Sequence, residues 1–273
     1  MKANNLTICI PTKSCTRNCP YCISKMTPAT LHAHKELNYH NQIRKAISFA
    51  KTAGANSILI TARGEPLTEM QSVLVIAQYA NDAGMPCELQ TNGDLLTEDN
   101  IDLLKEHVDV FAVSVDSPEQ LHKQDKGMTY INDLNKVLRW TILLHDVNTE
   151  KSIEEWLYAA QSLGVNQLSF RKLAAPTNPM NIEPLEWIKE NTKNVDKWLI
   201  NLGHFLSNAY KNNFPIIRKL SFGPIVYDVN GIALTYFPYC IEEGTETEEI
   251  RSLILRENGH VYTTWNSLAS ILF

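Results

Sequence analysis

The first 175 residues alternate between short apolar runs and longer segments in which apolar residues recur at helical spacing. The strand-like runs cover residues 6–10, 57–61, 87–91, 110–115, 137–144 and 167–171. The segments with helical spacing cover residues 37–53, 68–83, 97–106 and 152–163. This alternation favours parallel strands joined by right-handed crossovers. Six strands are fewer than the eight of a closed barrel, so we predict an α/β fold with a partial (β/α)6 TIM-like barrel that is open on one side.

The pattern changes after residue 175. Residues 181–213 are mostly helical in character, and apolar alternation then flanks two Asn-Gly pairs, Asn230 with Gly231 and Asn258 with Gly259. An Asn-Gly pair between alternating apolar residues is a strong hairpin signal. We therefore expect a barrel core over residues 1–175 and a helical and antiparallel β-hairpin extension over residues 176–273, which packs on the barrel and closes its mouth or side.

Charge and hydropathy exclude several classes of partner. The 25 basic and 30 acidic side chains give a net charge of −5, and the basic residues are scattered, so we expect no duplex nucleic acid partner. The apolar runs are far shorter than the roughly 20 residues that span a bilayer, and the first residues lack a signal-peptide core. We expect a cytoplasmic protein with no membrane partner, and a small-molecule or nucleotide substrate remains compatible with this charge.

Three of the six cysteines, Cys15, Cys19 and Cys22, lie within eight residues directly after the first predicted strand. This loop is at the carboxyl end of the barrel strands, where active sites of such folds are built. Thiolates are suited to iron–sulfur clusters or zinc. A four-iron cluster on three thiolates leaves one iron open, whereas a zinc site that also takes Cys9 would make the chain a zinc- or cluster-stabilised binding module.

The spacing C-x3-C-x2-C, with Tyr21 before the last cysteine, resembles the signature of the radical S-adenosylmethionine (SAM) superfamily. Gly64 and Glu65 resemble the Gly-Gly-Glu motif of that family, with Arg63 where the first glycine usually stands. Two further segments resemble the branch that includes the molybdopterin-precursor cyclase, residues 90–93 and 113–117. The resemblance covers roughly residues 6–175.

The resemblance implies one [4Fe–4S] cluster on Cys15, Cys19 and Cys22 and an electron donor such as flavodoxin or ferredoxin. In this family the reduced cluster cleaves SAM to a 5′-deoxyadenosyl radical, which would abstract hydrogen from a small-molecule or nucleotide substrate. A peptide- or protein-modifying or glycyl-radical-activating enzyme is the alternative. The other cysteines, Cys87 and Cys240, are isolated, so we expect no auxiliary cluster.

The resemblance also implies the SAM contacts. Glu65 is expected to bind the amino group, and Gly64 to let the backbone approach the ligand; a turn glycine and a solvated glutamate are the alternative. Tyr21 is expected near the adenine, with a core aromatic as the alternative.

Three polar residues at the third and fourth strand ends are further candidates for binding SAM. Alternation places Ser114 and Asp116 on one face, so both are candidates for the ribose hydroxyls, and structural hydrogen bonds are the alternative. Thr91 is expected to contact SAM or substrate, although its neighbouring Asn-Gly pair also suits a turn.

Arg139 and Arg171 are charges within runs that otherwise indicate buried strands. A planar guanidinium suits bidentate binding of a carboxylate, so both arginines are candidates to bind SAM or an anionic group of the substrate. An ion pair with an acid inside the barrel is the alternative.

Overall fold

The computed structural model describes residues 2–27, 36–116, 118–173, 175–176, 178–207, 214–220, 223–237, 249–265 and 267–273; only the backbone is described for residues 36–38 and 118–124. Cys240 and Ser117 lie outside the described residues.

The six predicted barrel strands are confirmed, and they pair in chain order as parallel neighbours. They are β1 (Lys2–Ile10), β2 (Ile58–Ala62), β3 (Cys87–Thr91), β4 (Val110–Val115), β5 (Val137–Leu144) and β6 (Gln167–Lys172). In β5, Leu138, Trp140 and Ile142 are fully buried while the positions between them are half-buried, as period-2 alternation requires. One face of the sheet packs on helices, and the opposite face lines the lumen of the partial barrel.

Helices connect the strands. They are α1 (Ile23–Met26), α2 (Glu36–Thr52), α3 (Met70–Asp82), α4 (Glu98–Leu104), α5 (Pro118–Asp133), α6 (Asp146–Thr149), α7 (Ile153–Ser162), α8 (Glu183–Asn191) and α9 (Val195–Leu206), with short 3-10 turns at Pro66–Glu69 and Leu268–Ser270. The start of α7 is a capping box, in which the Ser152 hydroxyl accepts from the Glu155 N–H and the Glu155 carboxylate accepts from the Ser152 N–H. None of the helices in the described part of the chain combines the length and apolar character that crossing a membrane requires.

The two hairpin signals are confirmed, but the hairpins lie at opposite edges of the sheet. The extension contains β7 (Ile216–Lys219), β8 (Ile225–Val229), β9 (Ile232–Phe237), β10 (Glu249–Leu255) and β11 (Val261–Tyr262). Strands β8 and β9 are antiparallel around Asn230 and Gly231, which both have positive φ, and β10 and β11 are antiparallel around the second pair. However, β9 pairs parallel with β6, and β10 pairs parallel with β1. In the described part of the chain, the extension therefore adds strands at both edges of the barrel sheet, which gives an open sheet of 11 strands.

Candidate active site

The three cysteines of the C-x3-C-x2-C motif are brought together in the loop that follows β1. Cys15 is exposed, and Cys19 and Cys22 are half-buried. Burial, with the negative charges of Asp116 and Cys22, raises the pKa of the Cys19 thiol to about 11. A bound cation reverses this effect because it stabilises the thiolate.

Arg17 anchors the cysteine loop to the ends of β3 and β4. Its Nη2 donates to Asp94 Oδ1 and to the Asn92 carbonyl, each at 2.6 Å, and its Nη1 donates to Asp116 Oδ2 at 3.2 Å. Burial lowers the pKa of Arg17, but the hydrogen bond and charge of Asp94 and the charge of Asp116 outweigh it and raise the pKa overall. Sequence reasoning missed Arg17 and Asp94; the available signal was an arginine inside the cysteine motif.

Two N–H groups point at the sulfur of Cys15. The Arg17 backbone N–H donates to Cys15 Sγ at 3.4 Å, and the Asn92 side-chain amide donates to the same sulfur at 3.7 Å. Hydrogen bonds to a sulfur ligand stabilise its negative charge and tune a bound cluster. The end of β3 therefore contributes to the surroundings of the cysteine loop through Asn92.

Glu65 is a buried carboxylate at the end of β2, only 1% exposed. Its Oε1 accepts from the Thr91 hydroxyl at 2.6 Å and from the Leu67 N–H at 3.1 Å, and its Oε2 accepts from the Asn92 N–H at 2.8 Å. Burial raises the pKa of Glu65, although these hydrogen bonds oppose the shift. Among the described residues, Glu65 has no cationic partner within ion-pair distance.

Gly64 is required by the cysteine loop itself. A Cβ at this position would lie 2.0 Å from the Ser14 carbonyl oxygen. The Glu65 N–H donates to that same oxygen at 2.7 Å, and the Gly64 N–H donates to the Thr12 carbonyl at 3.1 Å. The close backbone approach at Gly64 is therefore made by residues 12–14.

Arg63, which departs from the family motif, links three segments. Its guanidinium donates to the Thr27 hydroxyl at 3.2 Å, to the Thr27 carbonyl at 2.9 Å and to the Ser24 carbonyl. Its Nε also lies 3.5 Å from Glu257 Oε1, after β10. Arg63 therefore ties the end of α1, directly after the cysteines, to the C-terminal extension.

Tyr21 packs in a group of three rings. Its ring centroid lies 5.8 Å from His145, after β5, and 5.1 Å from Trp187 on α8. The Tyr21 hydroxyl is buried beside the carboxylate of Asp116. Burial and the nearby charge of Asp116 raise its pKa. The structure thus gives Tyr21 a packing role, and its contact with adenine stays a prediction.

The remaining predicted residues line the lumen. Ser114 is half-buried and lies in register with Thr141 of β5. Arg139 forms an ion pair with Glu88 at 2.5 Å, which is the alternative that the sequence left open. Arg171, on β6, lies with its guanidinium 5.0 Å from the ring centre of Phe237.

Cys9 lies apart from the other cysteines of the zinc alternative. It is buried in β1, and its thiol donates to the Ile10 carbonyl at 3.9 Å. Burial and the charge of Glu257 raise its pKa, which disfavours the thiolate that zinc needs. Within the described ranges, no three side chains of His, Cys, Asp or Glu are placed to hold a single metal ion. A cluster with several irons does not need such convergence, because each thiolate binds its own iron.

The radical SAM superfamily model matches residues 9–170 of this chain. The chain belongs to the radical SAM superfamily. It is therefore an enzyme of the family that uses a [4Fe–4S] cluster and SAM. Three thiols in one loop, with N–H donors directed at Cys15, are a donor set that fits such a cluster.

Two curated relatives are similar over part of this radical SAM chain. An uncharacterized protein of Methanocaldococcus jannaschii is 28% identical over 139 residues, which are 50% of this chain and 43% of that protein. The AdoMet-dependent heme synthase of Methanosarcina barkeri is 34% identical over 122 residues, 43% of this chain and 33% of that enzyme. The matches thus span less than half of the length of each relative.

Two solved radical SAM structures share the fold. SuiB of Streptococcus suis, bound to S-adenosylmethionine, has a TM-score of 0.61 at 14% identity and covers 96% of this chain and 60% of SuiB. The enzyme anSMEcpe with bound AdoMet also has a TM-score of 0.61, at 12% identity, covering 97% of this chain and 75% of anSMEcpe. These likenesses confirm the partial-barrel α/β fold.

Proposed function

We propose that this radical SAM enzyme holds one [4Fe–4S] cluster on Cys15, Cys19 and Cys22, binds SAM at the ends of β2 to β4, and removes a hydrogen atom from a small-molecule or nucleotide substrate in the lumen. When bound and reduced by a donor such as flavodoxin or ferredoxin, the cluster supplies the electron that cleaves SAM to a 5′-deoxyadenosyl radical. The residues of this chain bind and orient SAM and exclude water from the lumen.

Glu65 is the observation that carries this proposal. A buried carboxylate costs several kcal/mol unless it is hydrogen-bonded and paired with a cation. Its three internal hydrogen bonds satisfy part of this need, and a carboxylate has about four acceptor sites. The SAM ammonium would supply the missing positive charge, and a charge-assisted hydrogen bond to Glu65 would orient the methionine part of SAM.

The neighbouring residues divide into binding and positioning roles. We assign Ser114 and Asp116 to the ribose end of SAM and Tyr21 to the adenine end. The Thr91 hydroxyl donates to Glu65 and accepts from the Gly93 N–H at 3.0 Å, so we assign Thr91 to positioning the carboxylate of Glu65.

A small molecule is the leading substrate class. The M. barkeri relative, an AdoMet-dependent heme synthase by name, is matched at the higher sequence identity of 34% and supports this assignment. A peptide is the second candidate, because SuiB and anSMEcpe share this fold and have also been solved with peptides.

Anaerobic reconstitution tests the central proposal. We expect about four irons per chain and release of 5′-deoxyadenosine when dithionite is added to the protein with SAM. Cys19→Ala should lose both, whereas Cys87→Ala, which removes a buried thiol on β3, should retain both. One zinc per chain with no SAM cleavage by the unaltered protein would contradict the proposal.

Isotope transfer separates the two substrate classes. The enzyme is incubated with the small-molecule fraction or with the protein fraction of deuterium-grown cells. Deuterium should enter 5′-deoxyadenosine from the small-molecule fraction. Transfer from the protein fraction alone would assign a peptide or protein substrate instead.

A further inference from the structure

A charged layer crosses the amino-terminal part of the lumen. Arg139 Nη1 lies 2.5 Å from Glu88 Oε2, and Arg139 Nε donates to Gln167 Oε1 at 2.7 Å. Gln90 donates to the other oxygen of Glu88 at 3.5 Å. These contacts join β3, β5 and β6 across the lumen, and Arg139 neutralises the carboxylate of Glu88.

Arg171 adds a second guanidinium to the same lumen. It lies four residues beyond Gln167 on β6, so both side chains point to the same face. Its Nε donates to the Ser169 hydroxyl at 3.5 Å, and its guanidinium lies 5.0 Å from the centre of the Phe237 ring. Among the described residues, no carboxylate lies within ion-pair distance of Arg171.

The group formed by Glu88, Arg139 and Arg171 carries one more positive charge than negative charge. Burial lowers the pKa of Arg171, the charge of Glu88 raises it, and the charge of Arg139 lowers it. Arginine nevertheless remains protonated in proteins. Among the described residues, Arg139, Arg171 and Glu88 together carry a net charge of +1, and Arg251 adds a further guanidinium 5.7 Å from the centre of the Phe237 ring. An unpaired charge shielded from water is costly until an anion joins it.

We propose that Arg171 binds a carboxylate group of the substrate. This rests on the proposed function and specifies its substrate class. A carboxylate matches the planar fork of a guanidinium, and its single negative charge balances the excess positive charge of Arg139, Arg171 and Glu88. Its Nε donates to Ser169, two residues earlier on β6, and we assign the guanidinium to the substrate in the lumen and not to the carboxylate of SAM. Phe237 holds the guanidinium plane and offers an apolar wall to the carbon skeleton.

Thermal unfolding of the reconstituted protein with two isosteric probes tests this assignment. Propionate carries the carboxylate, and propionamide has the same shape without the charge; sodium chloride keeps the ionic strength equal. At tenfold excess over its dissociation constant, propionate should raise the Tm of the unaltered protein by roughly 2–4 °C. Propionamide should give no shift, and phosphate should give a smaller one.

Three variants locate the binding group. Arg171→Gln should abolish the propionate shift, and Arg171→Lys should reduce it because lysine lacks the planar fork. Lys172→Gln is the matched control: it removes a positive charge from the next residue of β6, which pairs with Asp196 outside the lumen, and should retain the full shift. If Arg171→Gln fails to fold, the comparison of propionate with propionamide in the unaltered protein still tests whether binding requires the negative charge of a carboxylate.

Three results would overturn the assignment. They are equal shifts with propionate and propionamide, a larger shift with phosphate, and an unchanged propionate shift in Arg171→Gln while its dissociation constant for SAM rises more than tenfold. SAM cleavage by the unaltered protein is measured in parallel. Its absence would contradict the proposed function, whereas the thermal shifts report on Arg171 separately.

Discussion

Arg63 and Glu257 form an ion pair, with 3.5 Å between Nε and Oε1, that joins the loop after β2 to the turn after β10. Both side chains are at most 10% exposed. Because Arg63 also binds the last carbonyls of α1, this pair connects the cysteine loop to the C-terminal extension.

Arg63→Ala should lower the free energy of unfolding by about 2–3 kcal/mol, since it leaves Glu257 and the carbonyls of α1 without this partner. The loss is limited by Arg256, which lies 3.7 Å from Glu257. Urea unfolding measures the effect. Lys105→Ala, which breaks an exposed ion pair with Asp102, should cause no measurable change, and equal losses in both variants would contradict this prediction.

Glu65→Gln should weaken SAM binding by about 10-fold or more, because a hydrogen bond to a charged group contributes about 1.5–3 kcal/mol. Equilibrium dialysis with the reconstituted protein measures the dissociation constant. The matched control is Glu69→Gln, at an exposed acid four residues later, which should bind SAM as the unaltered protein does. Unchanged binding in Glu65→Gln would remove the main support for the SAM site.

The raised pKa of Glu65 predicts a pH dependence of stability without SAM. Burial raises this pKa above its usual value of 4.5, so the folded protein binds the proton more tightly than the unfolded chain does. The stability from that proton is complete below pH 4.5 and is lost as the pH rises through the folded-state pKa. Compared with Glu65→Gln, the unaltered protein should therefore lose stability as the pH rises above 4.5 and through the folded-state pKa. Urea unfolding across this range measures it, and a constant difference would contradict it.

Arg17→Ala should reduce the iron bound after reconstitution to less than about half, since Asp94 and Asp116 lose the cation that holds the cysteine loop against β3 and β4. Iron and sulfide analysis measures this. Arg17→Lys should recover part of the iron because it retains the charge. Arg44→Ala, on the exposed side of α2, should bind iron fully.

The barrel strands and hairpin turns were predictable because each depends on local alternation and turn chemistry. Helix α5 was missed because its sequence is rich in polar residues, although Met128 and Ile131 on it are fully buried. The parallel pairing of β9 and β10 with the barrel was not predictable, because an edge partner is set by the path of the whole chain.

The candidate site was predictable where a residue lies in a short motif, as for the cysteines and Glu65. Long side chains that connect distant segments were missed. Arg17 binds Asp116, which is 99 residues away along the chain, and Arg63 binds Glu257 in the C-terminal extension. Gly64 was correctly singled out, but for another reason, because its close neighbour is Ser14 of this chain. Such contacts depend on tertiary geometry, which spacing along the sequence does not predict.

The pairing of β1 with β10 has a consequence for biosynthesis. At Lys2 and Glu249 the two strands are 247 residues apart, so at roughly 5–20 residues per second a ribosome takes roughly 10–50 s to deliver the second after the first. Throughout that interval the nascent first strand carries a bare edge, which is a template for wrong pairing with other chains. We therefore expect iron and sulfide to be loaded after β10 has been synthesised, because that strand fixes the base of the loop that receives them.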